Sequence, residues 1–175
     1  MLHFNDKSLE FLRNTRIPVS IADPQQAVCP LTFVNKPFEE ITGYTEAEVI
    51  GLNCRFLQCD ETNPNDVAKL RSLVENQSTD YVCLRNQRAN GDMFWNLVFL
   101  SAIQVNGGTL LMGCQFDLGQ RPYQQKVQDH ARNLSGTLRA ANIVLSDGHE
   151  QADRAMVAQA QTAFKIVATR ESLPL

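Results

Sequence analysis

The sequence predicts an α+β fold in which a cluster of short helices interrupts an antiparallel sheet. Three observations carry that reading. Two short β-prone runs lie near the start, helix-capping signatures gather in the middle, and later the hydrophobic period changes to two across hairpin-type turns. A length of 175 residues suits one globular core plus appendages. With 43% hydrophobic and 20% charged residues, the chain is not disordered throughout. A net charge of -3 argues against nonspecific nucleic-acid binding. Apolar runs such as Met93 to Leu100 are too short to span a bilayer. The opening MLHFNDKSLE lacks the basic start and apolar stretch of a secretory signal, so the expected location is the cytoplasm. The five cysteines are odd in number and lack CxxC spacing, which disfavours both a disulfide framework and a zinc site.

Residues 5–15 carry Leu9, Phe11 and Leu12 among polar side chains, and Pro18 follows. This reads as a short amphipathic helix within an N-terminal cap spanning 1–16. Ile17 to Ala22 and Leu31 to Asn35 are β-prone, with Asp23-Pro24 and Cys29-Pro30 marking the turn between them. Thr45 followed by Glu48 is a capping box, and Asn63-Pro64 places a capping side chain before a proline at the first helical position. The helix after Asn63 shows an apolar stripe of Val67, Leu70, Leu73 and Val74, ending around Gln77.

Thr79 to Arg88, Met93 to Gln104 and Thr109 to Leu118 then read as long strands, joined by Asn90-Gly91 and by Asn106-Gly107-Gly108 into an antiparallel meander. The middle strand is apolar on both faces, so both faces need cover. Strand parity sorts Leu84, Asn86, Asn96, Val98, Leu100, Gly113 and Gln115 onto one face. Tyr81, Cys83, Trp95, Leu97, Phe99, Met112, Cys114 and Phe116 fall on the other. Burying an unpaired amide costs about 1 to 3 kcal/mol, so the three amides of the first face call for a polar, planar partner.

The run Gly51-Leu52-Asn53-Cys54-Arg55-Phe56-Leu57-Gln58, with Asn86, Asn96 and Gln115 downstream, resembles the flavin-binding photosensor family of LOV (light-oxygen-voltage) domains. The likeness extends over about residues 17 to 118, and the short bacterial LOV proteins with a helical extension are the nearest pattern. It implies a photosensor domain over 17–119 with a Per-ARNT-Sim (PAS) type fold. There a five-stranded antiparallel sheet and short helices enclose flavin mononucleotide (FMN). The two arginines named below would also tolerate the longer tail of flavin adenine dinucleotide.

The same resemblance implies a role for each matching residue. Cys54 is the photoreactive thiol, forming a reversible cysteinyl-flavin adduct under blue light, a task suited to a polarizable, weakly acidic sulfur. Arg55 and Arg71 grip the phosphate. Asn53 and Gln58 contact the flavin, and Asn86 and Asn96 read the pyrimidine edge of its ring. Gln115 stands beside the ring nitrogen that gains a proton and rotates its amide to stay paired. Phe38, Leu57, Leu84, Val98, Leu100 and Gly113 form apolar walls, residue types that core packing also explains. Cys29, Cys83 and Cys114 read as structural thiols. Ser20, Ala22, Gln87 and Val98 depart from the commoner residues at their positions, which implies an altered adduct lifetime of undetermined direction.

In the C-terminal extension, 120–175, Val127, Ala131, Leu134, Leu138, Ala141 and Leu145 recur at the spacing of a helix-packing seam. After Asp147-Gly148 a second helix, about His149 to Glu171, would complete an antiparallel hairpin. These helices and the apolar sheet face each need a partner, so the expectation is a light-modulated homodimer signalling to an unidentified protein, without substrate turnover; the alternative packing is a fold-back within one chain. A second functional reading comes from Asp129-His130-Ala131-Arg132-Asn133-Leu134, which faintly resembles the phosphoacceptor helix of sensor histidine kinases. It would make the chain a light-regulated histidine phosphotransfer protein using His130.

Overall fold

The computed structural model describes residues 6–105 and 108–119. The expected helical hairpin of 120–175, His130, and the Asn106-Gly107 part of the last turn lie outside them.

In chain order the elements are α1 (Asp6–Asn14), β1 (Val19–Ala22), β2 (Leu31–Val34), α2 (Lys36–Thr42), α3 (Glu46–Val49), a 3₁₀ turn (Cys54–Leu57), α4 (Pro64–Glu75), β3 (Asp80–Gln87), β4 (Met93–Val105) and β5 (Gly108–Asp117). The five strands form one sheet in the order β2-β1-β5-β4-β3, antiparallel at every pairing. The expected meander is β3-β4-β5. The opening hairpin joins it through β1, which pairs with β5 and makes β5 a central strand.

Local chemistry sets the helix ends where the sequence marks them. Asn63 caps α4, its side chain accepting from Asn65 N at 2.9 Å, and Pro64 opens the first turn. At α3 the Glu48 carboxylate accepts from both Thr45 N (2.8 Å) and the Thr45 hydroxyl (2.7 Å). Helix α2 stops at Gly43, whose φ of 78° gives the left-handed turn that returns its N–H to Glu39 O at 2.7 Å.

Asn35, read from the sequence as a strand end, is instead the joint of the N-terminal half. Its Oδ1 accepts from Val19 N (2.8 Å) and Phe38 N (3.2 Å), while Nδ2 donates to Leu12 O (3.0 Å) and Ile17 O (2.7 Å). One buried amide thus ties α1, β1 and α2 together. The side chain also takes up Ile17 O and Val19 N, which is why β1 begins at Val19 rather than at Ile17.

The two sheet faces build two cores. Outward, Leu97, Phe99, Ile103, Met112, Cys114 and Phe116 pack with Leu12 of α1, and Leu9 and Phe11 lie against the same cluster. The N-terminal helix therefore contributes to covering the apolar face. Inward, the α4 stripe meets the sheet: Leu73 packs with Leu100 and Leu111, and Val67 and Leu70 lie against Val82, Leu84 and Val98. Each such large apolar side chain contributes about 1.5 to 3 kcal/mol when buried. Between the inner face, α4 and the 3₁₀ turn, the packing opens into a cavity.

Candidate functional site

The cavity has about 700 Å³ of atom-free space, part of it open to solvent. Its floor is the inner sheet face: Leu84 and Asn86 of β3, Asn96, Val98 and Leu100 of β4, Gly113 and Gln115 of β5. Its roof is the 3₁₀ turn, contributing Asn53, Cys54, Arg55, Leu57 and Gln58. The turn is tied to the floor by an antiparallel bridge between Gln58 and Asn86. Strand parity alone thus brings the three amides to one wall.

Cys54 heads the 3₁₀ turn. Asn53 caps it, with Oδ1 accepting from Arg55 N and Arg55 Nε, both at 3.0 Å. Asn53 Nδ2 donates across to Val28 O at 2.6 Å, which pins the roof to the β1–β2 loop. Cys54 keeps some exposed surface and lines the cavity, yet its thiol is deep enough that burial, with Cys29 nearby, pushes its pKa up to about 12. Burial pushes Cys114 up to about 12 as well. At neutral pH Cys54 is therefore a thiol that still holds its proton.

These shifts predict a pH dependence. A thiol with an ordinary pKa of 9.0 ionises in the unfolded chain from about pH 9, while the folded protein keeps both protons until about pH 12. The unfolded state alone loses protons in that window, so stability is unaffected below about pH 9 and falls as pH rises toward 12. Denaturant unfolding at stepped pH should show that decline, and Cys54→Ala plus Cys114→Ala should flatten it. A decline of the same size in the double variant would contradict the assignment.

The polar wall is deeply buried: Asn86 is 2% exposed, Asn96 1% and Gln115 2%. Asn96 Nδ2 donates to Asn86 Oδ1 at 3.0 Å, and Asn86 Nδ2 donates to Arg85 O at 3.2 Å. Gln115 Nε2 donates to Ser20 Oγ at 2.8 Å. Two oxygens are left over. Asn96 Oδ1 and Gln115 Oε1 are buried without a hydrogen-bond partner. Each orphaned acceptor costs about 1 to 3 kcal/mol, which a ligand offering N–H donors in the same plane would recover. The apolar side chains Leu57, Leu84, Val98 and Leu100 flank this wall, so the site fits a flat, heteroaromatic ring with a polar edge.

Beyond the roof the space continues into a cleft between the β1–β2 loop and α4, and both share Cys29, Asn53, Arg55 and Gln58. Arg71 lines this cleft and not the inner cavity, together with Arg55 and with Glu75 one turn along α4. Two guanidiniums at the mouth suit an anionic tail. Phe38 does not line the cavity: it is fully buried on α2 with Leu31, Val34, Val49 and Leu57, one layer behind the wall. Several lining residues were not expected from the sequence. Leu111 shares the parity of Gly113 and Gln115 and was recoverable from it; Leu70 and Val74 read as core stripe; Cys29 and Leu31 arrive through the loop. Among the described residues no group of acidic, histidine or cysteine side chains could hold a metal ion, and no helix is long and apolar enough to cross a membrane. None of the five cysteines is in a disulfide among the described residues.

Comparison with known proteins gives this cavity a family. The model of the PAS domain matches residues 18–120. The chain is 37% identical over 133 residues to "Blue-light-activated histidine kinase 1" of Erythrobacter litoralis, covering 75% of this chain and 37% of that one. It spans less than half the length of the curated relatives it matches. Among solved structures, the LOV domain of the Erythrobacter litoralis EL346 kinase superposes with a TM-score of 0.57 at 36% identity, over 59% of this chain and 97% of that one. The Rhodobacter sphaeroides LOV protein superposes with a TM-score of 0.74 at 28% identity, over 95% of this chain and 97% of that one. The matched residues include the whole polar wall and the thiol facing it, and the chain belongs to the PAS domain family and, within it, to the LOV domains.

Proposed function

We propose that the chain is a blue-light photoreceptor that holds flavin mononucleotide without a covalent bond in darkness. The observation that carries this reading is the buried wall of Asn86, Asn96 and Gln115, with Asn96 Oδ1 left without a partner, in a cavity that Cys54 also lines. The relatives' names point the same way, since the kinase of Erythrobacter litoralis is blue-light-activated and a protein of Listeria innocua is a "Blue-light photoreceptor".

When bound, the flavin supplies absorption of blue light and an excited state that accepts a thiol. Asn86 and Asn96 hold the polar edge of the ring, and Leu57, Leu84, Val98, Leu100 and Gly113 exclude water from its faces. Arg55 and Arg71 neutralise the phosphate at the mouth, with Asn53 and Gln58 shaping the neck between. Cys54 acts from the roof. It would contribute the sulfur and the proton of a reversible thiol addition to the bound flavin. The reverse transfer in darkness restores the thiol. Gln115 would follow the change, because its amide can offer a neighbouring ring nitrogen either N–H or C=O. Output runs from β5 into the C-terminal extension, where light alters packing between two copies of the chain and thereby engages a downstream protein. The chain turns over no substrate of its own. The phosphotransfer alternative rests on His130, outside the described residues.

The test is to denature the purified full-length chain and identify what it releases. One equivalent of FMN per chain supports the reading, flavin adenine dinucleotide corrects the tail, and a folded chain that releases and takes up no flavin overturns it. Size-exclusion chromatography in darkness and under blue light should show a dimer in at least one state.

A further inference from the structure

The photoreceptor reading leaves open what holds Gln115 when its amide turns. We infer that Ser20 is a positioning residue that favours the Gln115 orientation required after Cys54 has bonded, and so prolongs the bonded state.

Ser20 lies on β1 directly opposite Gly113, and its side chain is buried between two groups of β5. Its Oγ accepts from Gln115 Nε2 at 2.8 Å and lies 3.5 Å from Gly113 O, the acceptor for its own proton. The arrangement leaves Gln115 Oε1 buried and unpartnered. Gly113 makes the meeting possible. A Cβ there would stand 2.8 Å from Ser20 Oγ, closer than real Cβ atoms approach, and in tight contact with Gln115 Nε2 at 3.0 Å.

A hydroxyl both donates and accepts, so Ser20 pairs with either end of the amide. The two orientations are not equal. With Nε2 toward Ser20, the hydroxyl proton remains available for Gly113 O, and serine has two partners. With Oε1 toward Ser20, the hydroxyl proton is spent on that oxygen and its contact with Gly113 O is given up. The first orientation therefore gains one hydrogen bond, and it turns the carbonyl oxygen to the cavity. That is the orientation a protonated ring nitrogen needs. Before the transfer the same nitrogen asks for N–H, so Ser20 opposes the pairing of the dark state and supports that of the bonded state. An aliphatic side chain at this position exerts neither pull. The departure at Ser20 thus receives a direction: a longer-lived bonded state.

The test compares Ser20→Thr with Ser20→Val in the full-length, flavin-loaded chain, because the two side chains match in shape and differ only in the hydroxyl. Ser20→Ala is a third variant in case the added methyl group disturbs folding. Two readouts are needed: recovery of the blue absorption band in darkness, and the side-chain amide resonances of 15N-labelled Gln115 under illumination. One hydrogen bond corresponds to about a three- to tenfold change in rate. Ser20→Val and Ser20→Ala should recover faster than the parent by that factor and lose the hydrogen-bonded Gln115 resonance, while Ser20→Thr keeps both. Equal recovery in Ser20→Thr and Ser20→Val overturns the inference, and so does a rate difference without a change in the Gln115 resonance, which would assign it to packing. A parent chain that never bleaches fails earlier, because it removes the photoreceptor reading and this inference with it. A parent that bleaches, with equal variants, removes this inference alone.

Discussion

Cys54→Ala is expected to keep its flavin and lose all light-driven bleaching of the blue absorption band. The two outcomes separate because different residues govern them. Binding draws on the amide wall, the apolar sides and the arginines at the mouth, none of which needs the sulfur. Truncating one small side chain beside a cavity removes little packing, of the order of 1 kcal/mol or less. Photochemistry, in contrast, requires the polarizable atom and the proton it carries. Burial raises the Cys54 thiol to a pKa of about 12, so the proton is present throughout the physiological range. Cys54→Ser should behave like the alanine variant, since a hydroxyl is a far weaker acid and a harder nucleophile. Absorbance before and after a blue flash checks both variants. Bleaching at the parent level in Cys54→Ala would remove Cys54 from the mechanism and direct attention to Cys29, which lines the same cavity.

Gln115→Leu is expected to leave bond formation intact and to lose most of the structural response. Leucine conserves the volume of a fully buried position but carries neither the N–H that meets Ser20 nor the oxygen left without a partner. Cys54 lines the roof and Gln115 the floor of the cavity, so a bond made by the thiol would not depend on the amide. The response does. β5 is the strand through which β1 and β4 communicate, and it ends at Asp117, whose carboxylate pairs with Arg88 at 2.7 Å and accepts from Gly119 N at 2.7 Å. Arg88 also donates to Ile41 O, so the last residues of β5 are coupled to α2. A rotating amide two residues upstream is well placed to disturb that junction, and leucine has no donor or acceptor to exchange. Comparing the light-dependent change in oligomeric state of parent and variant checks the role. An undiminished change in Gln115→Leu would contradict it.

What the sequence made legible follows from the range of the interactions involved. Caps at Thr45 and Asn63 and the period-two runs of β3, β4 and β5 depend on neighbours a few residues away, and the structure has them where the residues indicated. Parity along those strands was enough to gather Asn86, Asn96 and Gln115 on one face. The placement of β1 beside β5 was not readable from local pattern, because it rests on pairings nearly the whole domain apart, such as Val19 with Cys114. Everything that depends on that pairing was hidden with it. Ser20 stood out only as an unusual residue, and its bond to Gln115 emerged with the register. Asn35 looked like a strand end until its four bonds were seen. Phe38 illustrates the opposite limit. Its apolar character fits a pocket wall or a core equally well, and only the three-dimensional packing places it behind Leu57. The extension beyond Gly119 lies outside the described residues, so its seam stays a prediction from the sequence.

The most direct measurement is the light-minus-dark absorbance spectrum of the purified full-length chain, followed into darkness. Loss of the blue band within the illumination and its full return afterwards is the result expected of a thiol that bonds and releases. A folded, flavin-loaded chain whose spectrum is the same in light and darkness would contradict the account.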